Sequence, residues 1–130
     1  MQDSARPANP RVIITRELAD ANQHRMSELF DAVLNHTDTA FSREDLIAAM
    51  ADCDVLVPTV TDQIDAEMIA NAPDRLRMIA SFGAGVDHID LAAARAKKIL
   101  VTNTPGVFTE DTADMTMALI LSAPRRLSEG

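Results

Sequence analysis

Two glycines separated by one residue stand in the segment of the sequence that most strongly suggests chemistry, residues 83–88 (GAGVDH). Glycine lets a ligand approach the main chain closely, and successive backbone N–H groups in a turn can bind an anion. A dinucleotide fingerprint would need a third glycine where His88 stands, so that interpretation is weak. A small carboxylate held by the amides of Ala84, Gly85 and Val86 suits the segment better. The simplest alternative is a tight turn that needs a positive φ at a glycine.

For the other side chains that could take part in a reaction, the sequence indicates structural roles. Asp87 and His88 could form an acid–base pair, but adjacent side chains seldom point at one another. His24 and His36 are expected to face solvent, and no two-histidine spacing in the sequence predicts a metal site. Cys53, the single cysteine, precedes an apolar run and is predicted to be a packed residue rather than a nucleophile.

Hydroxyl and acidic side chains mark the start of the last predicted helix. Thr109 can cap that helix, and Glu110 and Asp111 favour its positive end. Thr112 could donate a hydrogen bond to a phosphate or another cofactor group. Capping does not account for the whole pattern over residues 103–114, so both interpretations stay open.

Alternating strand-like and helix-like segments must position these residues. The predicted strands are 11–15, a weak one within 34–39, 54–57, 76–80 and 99–101, and the predicted helices are 21–33, 43–50, 65–70, 91–98 and 110–126. This order predicts an α/β fold with a mostly parallel, flavodoxin-like sheet and helices on both faces. Ligands bind such sheets beyond the carboxyl ends of the strands, here the loops 59–63, 82–89 and 103–109.

Composition and charge exclude several classes of protein. The 130 residues are 47% hydrophobic and 25% charged, which suits one globular domain. The formal net charge of −8 disfavours nucleic-acid binding, because a phosphate backbone repels such a surface. No apolar run approaches the roughly 20 residues of a membrane span. A lone cysteine and no secretory signal predict a cytoplasmic protein.

Two segments together resemble a known family. Residues 83–90 (GAGVDHID) are similar to the substrate loop of D-isomer-specific 2-hydroxyacid dehydrogenases. Residues 101–107 (VTNTPGV), followed by residues 112–114 (TAD), resemble the segment that enters that family's cofactor domain. The likeness is greatest to the glyoxylate and hydroxypyruvate reductase branch, and it covers the chain from about residue 11 to residue 130.

The resemblance implies an NAD(P)-dependent enzyme that reduces a small 2-oxoacid, glyoxylate or hydroxypyruvate, by hydride transfer. It implies that the backbone amides of Ala84, Gly85 and Val86 hold the substrate carboxylate, and that Thr112 contacts NAD or NADP. The family's catalytic arginine, histidine and glutamate lie further along than this sequence extends, so no catalytic residue is predicted in the chain. The full-length enzyme is expected to be a homodimer.

The resemblance also implies a domain organisation. Residues 1–10 are expected to be a disordered tail, residues 11–104 a flavodoxin-like substrate-binding domain, and residues 105–130 a linker with the first helix of an absent Rossmann domain. The last helix is apolar nearly all round, which fits a chain that is truncated before that domain. The 130-residue chain is therefore expected to be inactive alone. The alternative is a standalone flavodoxin-like carboxylate-binding or regulatory module.

Overall fold

The computed structural model describes residues 9–127 and residue 129, in which strands and helices alternate strictly. The strands are β1 (Arg11–Ile14), β2 (Asp31–Val33), β3 (Val55–Val57), β4 (Met78–Ala80) and β5 (Leu100–Thr102). The helices are α1 (Asp20–Leu29), α2 (Arg43–Asp52), α3 (Ala66–Asn71), α4 (Leu91–Ala96) and α5 (Thr109–Arg125). Apart from residues 9 and 10, the predicted tail lies outside the described residues.

The five strands form one sheet in the order β2-β1-β3-β4-β5, and all neighbours are parallel. This is the strand order of flavodoxin-like sheets, so the predicted fold class is confirmed. The strand order reverses direction between β1 and β3. Loops that follow the carboxyl ends of these central strands therefore meet above the sheet, where α/β proteins bind ligands.

Each face of the sheet carries its own apolar cluster, because successive side chains of a strand point to opposite faces. Ile13, Leu56 and Ile79 lie on the face that packs against α2, α3 and α4. Val12 and Ile14 lie on the opposite face, with α1 packed against it. The central strands β1 and β3 are thus largely buried on both faces, which holds their carboxyl ends in place.

The structure corrects the predicted boundary between α1 and β2. The predicted helix 21–33 ends at Leu29, and the strand predicted within 34–39 is instead residues 31–33. Met26 and Phe30 do pack against the sheet as a helical pattern requires. The next three residues pair with β1, where Asp31 N donates to Pro10 O at 3.1 Å. The unpaired backbone of β1 needs these hydrogen bonds, and this need outweighs the helical pattern of the side chains.

Side-chain caps fix the starts of three helices. Ser42 Oγ accepts a hydrogen bond from Asp45 N at 3.1 Å, and Asp45 Oδ2 accepts one from Ser42 N at 2.9 Å. This reciprocal pair is the capping box that the sequence predicts for α2. Asp65 caps α3, and Asp90 caps α4 as predicted.

Helix α5 differs from the other four because none of its side chains is buried. Its apolar residues Met115, Leu119, Ile120 and Leu121 are each 57–63% exposed. The predicted cap at Thr109 is wrong, since the N-cap is Phe108 and no side chain bonds there. The preceding turn brings the chain into the helix one residue early, which makes Thr109 the first helical residue. Across the described range, no helix is both long and apolar enough to cross a membrane.

Candidate carboxylate-binding site

The loop between β4 and α4, residues 82–89, is bonded on one side to the loop after β3. Phe82 N donates to Pro58 O at 2.8 Å, and Ile64 N donates to His88 O at 2.8 Å. Ile64 and Ile89 also form an isolated parallel bridge. The two loops therefore extend the sheet past the formal ends of β3 and β4.

On its other side, the 82–89 loop is bonded to the segment after β5. Thr104 N donates to Gly83 O at 2.9 Å. The side-chain amide of Asn103 donates to Ala84 O at 2.7 Å. The structure thus brings together all three loops that the sequence places at the carboxyl edge.

The backbone of this loop is divided between bonded carbonyls and free amides. The carbonyl oxygens of residues 83, 84, 86 and 88 all accept hydrogen bonds from the protein. Within the part of the chain that the structure describes, none of the six consecutive N–H groups of residues 83–88 donates to a protein acceptor. Ala84 and Gly85 are exposed and Val86 is half-buried. Consecutive free donors of this kind can bind an anion without any charged side chain.

Gly83 and Gly85 are needed for the room that a missing side chain leaves, not for an unusual backbone conformation. The tight-turn alternative, which needs a positive φ at Gly83 or Gly85, is wrong. Among the described glycines, the one with a positive φ (76°) is Gly106. A Cβ at Gly83 would lie 2.7 Å from Val60 Cγ1, which is too close for any real contact. A Cβ at Gly85 would meet no atom within 4 Å. Gly83 therefore permits close packing of the loops, and Gly85 leaves open space beside the free amides.

A buried hydrogen bond lies beneath the loop. His88 Nε2 and Ser81 Oγ are 3.1 Å apart, and both side chains are buried. Burial holds the pKa of His88 below its ordinary 6.5, against the opposing charges of Asp62 and Asp87. The sequence analysis weighed Asp87 as the partner of His88 and missed Ser81. The available signal was a polar residue directly after an apolar strand.

A second buried polar group joins the ends of β1 and β3. Asp62 Oδ2 accepts hydrogen bonds from Thr15 Oγ1 at 2.5 Å and from Thr59 N at 2.8 Å. Asp62 and Thr15 are almost fully buried. The sequence analysis did not predict this pair either. The available signal was that Thr15 directly follows β1 and that Asp62 lies five residues after β3. The pair holds the loop after β3 over the sheet, and that loop in turn supports residues 82–89.

Thr112 stands apart from this network. It lies in the first turn of α5, where its N–H donates to Phe108 O at 2.9 Å and its carbonyl accepts from Thr116 Oγ1 at 2.7 Å. Its side chain is exposed. No hydrogen bond of the described residues joins Thr112 to the 82–89 loop.

The remaining reactive side chains have structural settings. Cys53 is fully buried, and burial raises the pKa of its thiol to about 12, so the prediction of a packed residue is confirmed. His24 and His36 are exposed as expected. His24 lies 3.0 Å from Glu28, an acid that the sequence analysis overlooked. The residues of known placement include no group of three potential metal ligands.

Comparison with known proteins identifies the family of the chain. The family model for the D-isomer specific 2-hydroxyacid dehydrogenase catalytic domain matches residues 12–123. The chain belongs to this dehydrogenase family. It is 42% identical over 120 residues to a glyoxylate reductase of Korarchaeum cryptofilum, and the match covers 92% of this chain and 36% of that protein. The chain thus spans about 36% of the length of the curated relatives it matches.

Solved structures with the same fold are also similar to this chain. The TT0316 protein of Thermus thermophilus is 42% identical with a TM-score of 0.79, and the match covers 92% of this chain and 38% of that one. An NADPH-dependent glyoxylate/hydroxypyruvate reductase of Sinorhizobium meliloti, solved with NADP and malonate, is 26% identical with a TM-score of 0.65. That match covers 88% of this chain and 34% of the reductase.

Proposed function

We propose that the amides of Ala84, Gly85 and Val86 bind the carboxylate of a small 2-oxoacid. The observation that carries this proposal is the run of six N–H groups, residues 83–88, that have no acceptor among the described residues, in a loop whose carbonyls are largely bonded. Such a loop presents only the positive ends of its peptide dipoles to a ligand. The likeness to a reductase solved with malonate, itself a small carboxylate, supports the same ligand class.

The whole protein is then an NAD(P)-dependent D-2-hydroxyacid dehydrogenase that acts on glyoxylate or hydroxypyruvate, and this chain is its N-terminal segment. Residues 11–104 form the substrate-binding domain, and residues 105–130 lead into the coenzyme domain. When bound, the reduced coenzyme supplies the hydride that reduces the 2-oxo group. The part played by this chain is to bind the carboxylate and orient the carbonyl carbon for that transfer.

None of the chain's residues is assigned a catalytic role. Arg16 lies near this edge of the sheet, and Asp38 occupies its guanidinium through two hydrogen bonds of 2.8 and 2.9 Å. His88 is buried and bonded to Ser81. Neither side chain is therefore free to stabilise charge or exchange a proton at a bound ligand.

Thr112 fits the coenzyme only as a minor contact. Its exposed hydroxyl can donate to a coenzyme oxygen, but Glu110 and Asp111 lie beside it in the same helical turn. These carboxylates make a phosphate an unfavourable neighbour, so the hydroxyl suits an uncharged oxygen of NAD or NADP. A single hydroxyl cannot hold a dinucleotide, and the four glycines of the sequence include no three-glycine fingerprint. The main coenzyme site is therefore assigned to another segment.

Three further properties belong to this proposal. The exposed apolar surface of α5 supports an association between copies, and the full-length enzyme is proposed to be a homodimer. The free cysteine supports a cytoplasmic location. The 130-residue chain alone is proposed to be inactive, so that oxidation of NADH or NADPH with glyoxylate stays at the rate of a protein-free control. A faster rate would contradict the inactivity.

The carboxylate loop is tested with ¹⁵N-labelled chain titrated with sodium glyoxylate at constant ionic strength. The amide signals of residues 83–88 should shift in a saturable manner. Gly85→Val fills the space beside the free amides and should weaken binding by about tenfold, equal to about 1.4 kcal/mol. Ala70→Val adds bulk at an exposed position of α3 and serves as the matched control.

The titration tests the carboxylate site, and the reading frame distinguishes the two candidate functions, the dehydrogenase and the standalone binding module. Saturable shifts confined to the loop, weakened by Gly85→Val only, support the carboxylate site in both. If the parent chain and Gly85→Val bind glyoxylate with equal affinity, the loop is not part of the binding site. If the frame that encodes the chain continues into a glycine fingerprint, the dehydrogenase is favoured; a stop after Gly130 favours the standalone binding module.

A further inference from the structure

A side-chain hydrogen bond closes the 82–89 loop at its base. Ser81 directly follows β4, His88 comes seven residues later, and Ser81 Oγ lies 3.1 Å from His88 Nε2. The residues are only 3% and 7% exposed. The bond therefore joins the point where the loop leaves the sheet to the point where it returns to the loop after β3.

The His88 ring is buried, whereas most of the residues just before it in the loop are exposed. Ala84, Gly85 and Asp87 are exposed, yet the imidazole between them and α4 turns inward. Burial lowers the pKa of His88 and favours the neutral ring, although Asp62 and Asp87 act in the opposite direction. A neutral ring has one donor nitrogen and one acceptor nitrogen, and the Ser81 hydroxyl can pair with either. The Ser81 hydroxyl therefore pairs with Nε2 of the buried ring in either tautomer.

The other hydrogen bonds of the loop hold its two halves separately. Asn103 and Thr104 bind the carbonyls of Ala84 and Gly83, on the side toward β5. The second half, residues 86–88, returns toward α4 and is fixed by the backbone bond from Ile64 N to the carbonyl of residue 88. The Ser81–His88 bond is the side-chain contact that spans both halves and sets their separation.

We propose that the Ser81–His88 hydrogen bond is a clamp that presets the free amides of residues 83–88 for their anionic ligand. Ser81 and His88 are then positioning residues, because they act through the backbone between them. The inference rests on the proposed carboxylate-binding function of the loop. A loop that is ordered before binding loses less conformational entropy when the ligand arrives, so the clamp increases affinity without touching the ligand.

Four variants of the full 130-residue chain test the clamp. Ser81→Ala and His88→Leu remove the hydrogen bond from either side. His88→Gln places an amide group near the position of Nε2 and can restore it. Ile99→Val, at a buried site before β5 and therefore at the opposite edge of the sheet, controls for a general loss of stability.

Two readouts are taken on each ¹⁵N-labelled variant: backbone order parameters of residues 84–86 without ligand, and affinity for sodium glyoxylate. The order parameters should be about 0.85 in the parent chain and fall below about 0.6 in Ser81→Ala and His88→Leu. Affinity for glyoxylate should fall about fivefold in the same two variants and return to within about twofold in His88→Gln. Ile99→Val should leave both readouts unchanged.

Failure of the clamp and failure of the carboxylate site give different results. If Ser81→Ala keeps both the order parameters and the affinity of the parent chain, the clamp is wrong and the site stands. If Ile99→Val disorders the loop equally, the effect is one of stability and the clamp is again wrong. If glyoxylate shifts no loop amide in the parent chain, the proposed function fails, and unchanged order parameters in Ser81→Ala would overturn the clamp independently.

Discussion

The pKa of Asp38 is lowered by a bidentate contact with Arg16. Arg16 donates to both of its carboxylate oxygens at 2.8 and 2.9 Å, and Glu17 N donates at 3.0 Å. These hydrogen bonds lower the pKa of Asp38 from 3.8 to about 2. The pair is exposed to solvent, so its contribution to stability is small and sensitive to salt.

The direction of the pH dependence follows from the sign of this shift. Because the pKa of Asp38 is lower in the folded chain than in the unfolded chain, the stabilisation is complete above pH 3.8 and is lost as the pH falls through about 2. Arg16→Gln should move the carboxyl ¹³C titration midpoint of Asp38 from about 2 toward 3.8. The pKa of Asp45 is lowered by Ser42 rather than by Arg16, so its titration is the internal control. An unmoved Asp38 midpoint would contradict the assignment.

Single residues were predictable from sequence where local chemistry decides their role. Cys53 is packed because a small thiol beside an apolar strand is most stable when buried. The partner of His88 was not predictable because Ser81 lies across a loop, and no local pattern records which way a loop folds back. The binding role of residues 84–86 stays a prediction, although the free amides are consistent with it.

At the scale of elements, the capping box of α2 offers a simple stability test. Ser42→Ala removes the side-chain acceptor for Asp45 N and should lower the free energy of unfolding by about 1 kcal/mol. Ser42→Thr keeps an acceptor and should cost only a few tenths of that. Urea titration measures both, with a lower midpoint and an unchanged slope in the alanine variant. Equal midpoints for the alanine and threonine variants would show that the cap does not matter.

Helix starts were easier to predict than the α1–β2 boundary for a physical reason. A cap is a local interaction, and the Ser42–Asp45 spacing alone specifies it. The end of α1 depends on β1, which is some twenty residues away in the chain and binds residues 31–33 along its edge. Side-chain periodicity near Val33 gives no information about that distant strand, so the helical pattern was extended too far.

At the scale of the whole molecule, α5 is an apolar surface without a cover. Burying each Leu or Ile side chain is worth roughly 1.5–3 kcal/mol, so several exposed on one helix favour self-association. The weight-average mass in sedimentation equilibrium should therefore rise above 14.1 kDa with concentration. Met117→Lys with Leu121→Lys, one helical turn apart on the same face, should keep the chain monomeric.

A matched control separates lost apolar surface from added charge. Thr112→Lys with Thr116→Lys adds the same two charges with the same spacing but replaces no large apolar side chain, and it should associate like the parent chain. Equal monomeric behaviour of both double variants would show that charge alone controls association. A monomeric parent chain at all concentrations would rule out α5 as a self-associating surface.

The global fold was the most predictable level of all. The alternation of strands and helices leaves few topologies open, because parallel strands need crossover connections of one hand. The alternation together with the count of five strands predicted the flavodoxin-like sheet, and the meeting of three loops at its carboxyl edge followed from that sheet. The bonds that hold those loops together, such as Asn103 to Ala84, depend on the three-dimensional path of each loop and were not foreseen.

The division of the 83–88 backbone into bonded carbonyls and free amides has an evolutionary consequence. A main-chain donor is present whatever side chain the residue carries, provided that the residue is not proline. Recognition of this kind is therefore encoded in the path of the chain rather than in the identity of exposed residues such as Ala84. Substitutions at such exposed positions leave the donor array intact, whereas substitutions of the buried residues that set the path are expected to disturb it.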